Sequence, residues 1–212
     1  MSLCRKLIYI PIIHTEVDLG SSAVLFKGGA DEEKSKALWQ EWNRAVEEMW
    51  QGIDERIADP RLNWSNVRLY QDGLPVCGRE RDIVDELAKQ GSINHQILVK
   101  LIHKGGTLEG TEDPRLLIEE RAAIQRIEMA RDAVEKGKAI LEYATAGASL
   151  LEQRDQFIAN QIGLTLGQGE TGLLFVGMLH RVDRWLPKDI VVEYIIHHLP
   201  FGAAPWRFTS TA

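Results

Sequence analysis

Hydrophobic positions along the chain follow two periods. Near the N-terminus Leu7, Ile8, Tyr9, Ile10, Ile12 and Ile13 run almost without interruption, and a second run covers Leu173, Leu174, Phe175 and Val176. Apolar runs of this kind, dense in β-branched and aromatic residues, mark strands buried on both faces. Each run delivers a histidine: His14 follows the first directly, and His180 follows the second across Gly177-Met178-Leu179. Pro11 lies inside the first run and removes a ladder donor, so that strand is expected to end or bulge near Pro11. Asn66 to Gly73, punctuated by Asp72-Gly73 and Pro75, and the run from Ile190 to Ile196 supply two further strands.

Between these strands the apolar period lengthens to that of a helix. Leu38, Trp42, Ala45, Val46, Met49, Trp50 and Ile53 predict a helix from Asp31 to about Ala58, with acidic residues in the first turn and Pro60 beyond its end. Trp39, Trp42 and Trp50 read as packing aromatics. A second helix spans Arg79 to Lys89 and stops at Gly91; a third opens at Ser92 as N-cap and ends at Lys104-Gly105-Gly106. His95 and His103 read as surface or helix-end residues. Asp113 and Pro114 then form a start signal, and a helical pattern follows for roughly fifty residues. One straight helix of that length would measure about 70 Å, so breaks are expected near Gly137 and near Thr145-Ala146-Gly147.

Strands that alternate with long helical segments imply an α/β fold, because parallel neighbours need crossovers of a dozen or more residues. The expectation is one domain, 1–212, with a mainly parallel sheet of about four strands. Residues 79–165 form a large helical insertion or cap between strands two and three.

Composition narrows the function classes. The chain has 212 residues and a formal net charge of −6 with both signs interspersed, so no basic patch recommends nucleic acid or an anionic membrane surface. No apolar run approaches the roughly 18 to 20 residues of a membrane span, and no secretory leader pattern is read at the start. Cys4 and Cys77 are too few for a disulfide framework and read as plain thiols. A cytoplasmic location is expected.

The candidate chemistry gathers at strand ends. His14 and Glu16 lie two apart, so in an extended segment they share a side. Each histidine follows a buried run and so needs a polar partner, whether structural or catalytic. Asp72 ends the second strand, Glu109 sits between glycines in the loop from Gly105 to Pro114, and Arg154 falls on a helix face where apolar residues are expected. That arginine either pairs with a carboxylate or clamps an anionic ligand at a rim. His14 and His180 are candidate ligands for a divalent metal, with Glu16, Asp72 or Glu109 able to complete a shell. GxSxG, GxxxxGK[ST] and GxGxxG motifs are lacking, and nucleotide binding is not expected.

The order of these parts resembles the TraB/Tiki and erythromycin-esterase/ChaN-like superfamily. Gly177-Met178-Leu179-His180 is similar to its GxxH motif, and Glu152-Gln153-Arg154-Asp155 to its helix motif. Pro11-Ile12-Ile13-His14 has proline where the family has glycine, and Asp72 stands where a glutamate is usual. The resemblance implies a site of His14, Glu16, Asp72, Arg154 and His180 and, in some members, metal-dependent hydrolysis. The expected function is a hydrolase of a small-molecule or peptide substrate, metal-assisted or not. The alternatives are a non-catalytic module that binds a small molecule or anion, and a homo-oligomer assembled on the long helices.

Overall fold

The computed structural model describes residues 4–13, 32–58 and 62–196, and only the backbone of 32–39 and 41–43. His14 and Glu16 lie outside the described residues. In chain order the elements are β1 (Arg5–Ile12), α1 (Glu32–Ile57), β2 (Val67–Gln71), α2 (Glu80–Lys89), α3 (Ile93–His103), β3 (Thr107–Leu108), α4 (Pro114–Glu128), α5 (Ala133–Thr165), β4 (Thr171–Gly177) and β5 (Ile190–Tyr194), with 3-10 turns at Trp64–Asn66 and Val182–Arg184. The strands form one sheet in the order β3-β2-β4-β1-β5, and every pair is parallel.

The sheet thus has five strands where about four were expected. The additional strand is β3, whose two residues pair Arg68 with Thr107 and Leu69 with Leu108. Two residues are too few to leave an apolar period; the open edge of β2 makes them a strand. β3 also divides the expected insertion, with α2 and α3 before it and α4 and α5 after it.

β1 ends at Ile12, one residue past Pro11 and so close to where its end was expected, and it does not bulge at the proline. It stays in register with β4 through Pro11↔Val176 to Ile12↔Gly177, whereas its pairing with β5 ends at Tyr9↔Tyr194. The Tyr9 carbonyl accepts from Ile195 and so points toward β5. Pro11, two residues on, turns its missing donor to that same side, past the end of β5's pairing, so no ladder bond is lost.

Both faces of the sheet are covered. On one face Ile8, Ile10 and Ile12 of β1, Leu69 of β2 and Leu173 and Phe175 of β4 pack against α1, α2 and α3. Trp50 of α1, fully buried, lies 6.3 Å centroid to centroid from Phe175, the packing role read for it. On the other face Leu7, Tyr9, Tyr70, Leu174 and Val176 pack against Ile158, Ala159, Ile162 and Leu166 at the end of α5. The alternation of successive strand residues between these clusters is the period-two geometry of a strand, with both sides apolar.

The long helical region breaks once, at Met129–Asp132, and not at the glycines. Asp132 caps α5 by accepting from the Val134 and Glu135 amides at 2.8 Å each, whereas a glycine inside a helix costs only about 1 kcal/mol. α5 therefore runs through Gly137 and Gly147 for 33 residues. No helix among the described residues is long and apolar enough to cross a membrane. Cys4 and Cys77 are free and exposed.

Candidate functional site

β2 and β4 are neighbours, yet the chain leaves them toward opposite faces. After β2 it passes to α2 on the α1 side, and after β4 to Val182, which packs with α5. Such a divergence opens a crevice beyond the carboxyl ends of a parallel sheet, where ligands of open α/β sheets bind. Asp72 lies on one lip and His180 on the other.

Asp72 is buried and tied to both strands. Its amide donates to the Phe175 carbonyl at 3.0 Å, its Oδ2 accepts from the Gly177 amide at 2.7 Å, and its Oδ1 accepts from Gln71 Nε2 at 2.8 Å. Charge-assisted bonds of this kind are about twice as strong as neutral ones, and they fix the carboxylate at the gap between the strands. The Gln71 Oε1 atom beside it is buried and has no hydrogen-bond partner among the described residues.

His180 is held from three directions. Its amide donates to Gly177 O at 3.0 Å, closing the turn through Met178 and Leu179, and its carbonyl accepts from the Tyr9 hydroxyl at 3.2 Å. Burial, with the charges of Asp183 and Asp155, pushes the Tyr9 phenol above its ordinary value, so it remains a donor. The ring meets Asp155, Nδ1 to Oδ1 at 2.6 Å, while Asp155 Oδ2 accepts from the Arg181 amide at 2.8 Å. A carboxylate only accepts, so Nδ1 carries the hydrogen, and whenever the ring is neutral its lone pair lies at Nε2. That atom lies 3.7 Å from Asp72 Oδ2. A lone pair facing a carboxylate across this distance favours a species with hydrogen or positive charge between them.

Arg154 adjoins Asp155 on α5 and binds Glu112 in two-point fashion, Nε to Oε2 at 2.8 Å and a terminal nitrogen to Oε1 at 2.5 Å, with its other terminal nitrogen on Glu120 at 2.6 Å. Burial opposes its charge, but the bonds to Glu112 and the charges of Glu112, Glu120 and Asp72 outweigh that and raise its pKa. Glu112 Oε1 also accepts from the Gly73 amide at 2.8 Å. Arg154 thus joins α5, α4, the segment after β3 and the turn after β2. Of the two roles open to it in the sequence, the structure shows the pairing with carboxylates.

Glu109 is placed elsewhere. Its carboxylate binds Arg68, which also binds Glu170 just before β4, at the amino end of that strand. The hydrogen bond to Glu170, offset in part by burial and reinforced by Glu109, raises the Arg68 pKa, and the same contact lowers that of Glu170. The structure therefore brings together Asp72, Arg154 and His180 and leaves Glu109 apart. His95, read as a surface or helix-end residue, is buried with its ring nitrogen 2.7 Å from Ser92 Oγ, because that hydroxyl caps α3.

Asp155, Glu112 and Gln71 escaped the sequence reading. Asp155 had a signal: with Ile158, Ala159 and Ile162 it belongs to the stripe that α5 turns toward the sheet, where a carboxylate needs a buried partner. Glu112 lies in the glycine-bearing loop, whose close approach is made by Gly110. A Cβ there would come within 2.8 Å of the Val76 Cα and 2.9 Å of Glu80 Oε1. Gly110→Ala must push backbone aside next to Thr111 and Glu112, both of which donate to the Leu74 carbonyl at 3.0 Å. A loss of about 1–3 kcal/mol is expected, as for overpacked interiors, read by urea unfolding; an unchanged midpoint would contradict this close fit.

Among the described residues no group of three histidine, cysteine, aspartate or glutamate side chains is arranged to hold a metal ion. Comparison with known proteins returns no match to any family model, curated protein or solved structure.

Proposed function

We propose that the protein is a hydrolase in which His180 moves the proton of an attacking water. The observation that carries this reading is the imidazole held at Nδ1 by Asp155, with Nε2 turned toward Asp72 at the carboxyl ends of β2 and β4. Asp155 fixes the tautomer and stabilises the imidazolium once the proton is taken, the division of labour by which a histidine–carboxylate pair activates a nucleophile. Asp72, held by Gly177 and Gln71, faces the same atom and helps to orient the water. Exposed Met178 and Leu179 form an apolar lip beside His180, which suits a small-molecule or peptide substrate with an apolar group near the bond that breaks.

Membership of the TraB/Tiki and erythromycin-esterase/ChaN-like superfamily belongs to the same proposal. It is supported by the placing of Gly177 to His180 and of Arg154 and Asp155 around one crevice. A second, metal-assisted reading rests on the separation of His180 Nε2 from Asp72 Oδ2. Metal–ligand bonds of about 2.0–2.2 Å can span 3.7 Å, and a carboxylate behind the ring is the usual outer partner of such a histidine. These two side chains, with His14, would hold the ion, which would supply Lewis acidity to water or to a carbonyl.

The test is turnover of a panel of chromogenic esters and peptides by the purified protein and by His180→Ala, with metal analysis of both. A fall of about 10²–10⁴ in rate is expected for the variant. Turnover that survives His180→Ala would overturn the proposal, and saturable ligand binding without turnover would favour the non-catalytic module. Near-stoichiometric metal in the wild type, lost in the variant, decides for the metal-assisted form.

A further inference from the structure

We propose that the α4–α5 hairpin is a dimer interface, through which two copies of this chain pack their hairpins antiparallel into a four-helix bundle. Along residues 133–149 of α5, about 25 Å of helix, no residue is buried; burial begins at Leu150. α4 buries only Ile127. Two helices that bury so little against each other lack the packing that makes most helices in proteins stable. Meanwhile Val134 and Leu141 on α5 are 81% and 68% exposed, and Ile118 and Met129 on α4 are 68% and 79% exposed. Beside the hairpin's tip a shallow groove of about 330 Å³ runs past Ala122, Gln125 and Met129.

The spacing and the charges name the occupant. Val134, Leu141 and Ala148 recur at seven, with Gly137 and Ala144 between them, the spacing of a coiled-coil seam. If two such seams run antiparallel about a twofold axis at Leu141, Val134 of one copy meets Ala148 of the other, large against small, and Leu141 meets itself. Residues 114–149 carry six basic and six acidic side chains, a net charge of zero, whereas the whole chain carries −6. A second copy therefore meets no net repulsion at the hairpin, while the rest of the surface repels it. One patch facing itself closes as a twofold pair.

Sedimentation of the full chain at tens of micromolar should give a dimer. Leu141→Glu should leave the chain folded by circular dichroism, should make the melting temperature independent of concentration, and should halve the mass. In a Cys4→Ser/Cys77→Ser background, Leu141→Cys should cross-link to a disulfide dimer under mild oxidation, and Glu152→Cys should not. A monomeric wild type overturns the proposal, as does a dimer that Leu141→Glu leaves intact. A monomer that instead binds anionic lipid vesicles through Leu141 overturns it in favour of a membrane surface.

Discussion

Arg154→Met should destabilise the protein by about 3–5 kcal/mol, the cost of removing one partner from a buried ion pair. Glu112 is fully buried, and Arg154 is 7% exposed. Without the guanidinium, Glu112 keeps, among the described residues, the Gly73 amide on Oε1, and its Oε2 loses the donor it has there. The carboxylate must then stay charged and uncompensated or take up a proton, and either raises the energy of the folded state. The same change cuts the tie from α5 to Glu120 on α4, so the crevice loses its fixed wall as well as its charge balance. Arg154→Met/Glu112→Gln should regain most of the loss, since a neutral amide can still accept from Gly73 and no buried charge is left alone. Guanidinium unfolding of the two variants beside wild type measures this. A cost of about 1 kcal/mol or less for Arg154→Met, the range of exposed pairs, would mean that water reaches the cluster.

Asp155→Ala should lower the rate of the proposed hydrolysis by about 10²–10⁴, as when a general base loses its orienting group, with a stability loss of about 1–3 kcal/mol from the unsatisfied groups it leaves. Two hydrogen bonds go at once, that from His180 Nδ1 and that from the Arg181 amide. The ring is then free to turn or to carry its hydrogen on Nε2, which removes the lone pair facing Asp72. Asp155→Asn separates the effects. Its amide oxygen can still accept from the Arg181 amide while its NH2 donates to Nδ1, so stability should fall less than in Asp155→Ala, but the ring hydrogen then sits on Nε2 and a neutral group cannot stabilise the imidazolium, so the rate should still fall. If both variants fold and turn over at wild-type rates, His180 does not work through Asp155.

These expectations differ in how far the chain itself announced them. The cores of β1 and β4 were plain, because strands covered on both faces carry continuous apolar runs, and His180 stood at the end of one of them. α1 was plain for the same reason of period, and its Trp50 sits in the core as read. β3 was not legible, since its two residues owe their extended shape to the edge of β2. The single break in the long helical region was missed because glycine weakens a helix less than a good N-cap favours a new start, and Asp132 supplies that cap.

The amino-acid sequence by itself determined the class of the fold, the buried faces of α1 and α3 and the place of Asp72 and His180 at strand ends, because these follow from local period and from turn residues. Only the tertiary structure decided which charged groups meet. Asp155 reaches His180 across 25 positions, Glu112 reaches Arg154 across 42 and Asp72 reaches Gly177 across 105. Contacts at such separations depend on strand order and on the crossing of α5 over the sheet, which no window of sequence contains. The fate of Glu109 shows the same thing from the other side: the loop announced an unusual carboxylate, and the fold gave it to Arg68, because β3 pairs beside β2 and carries Glu109 to the level of Leu69.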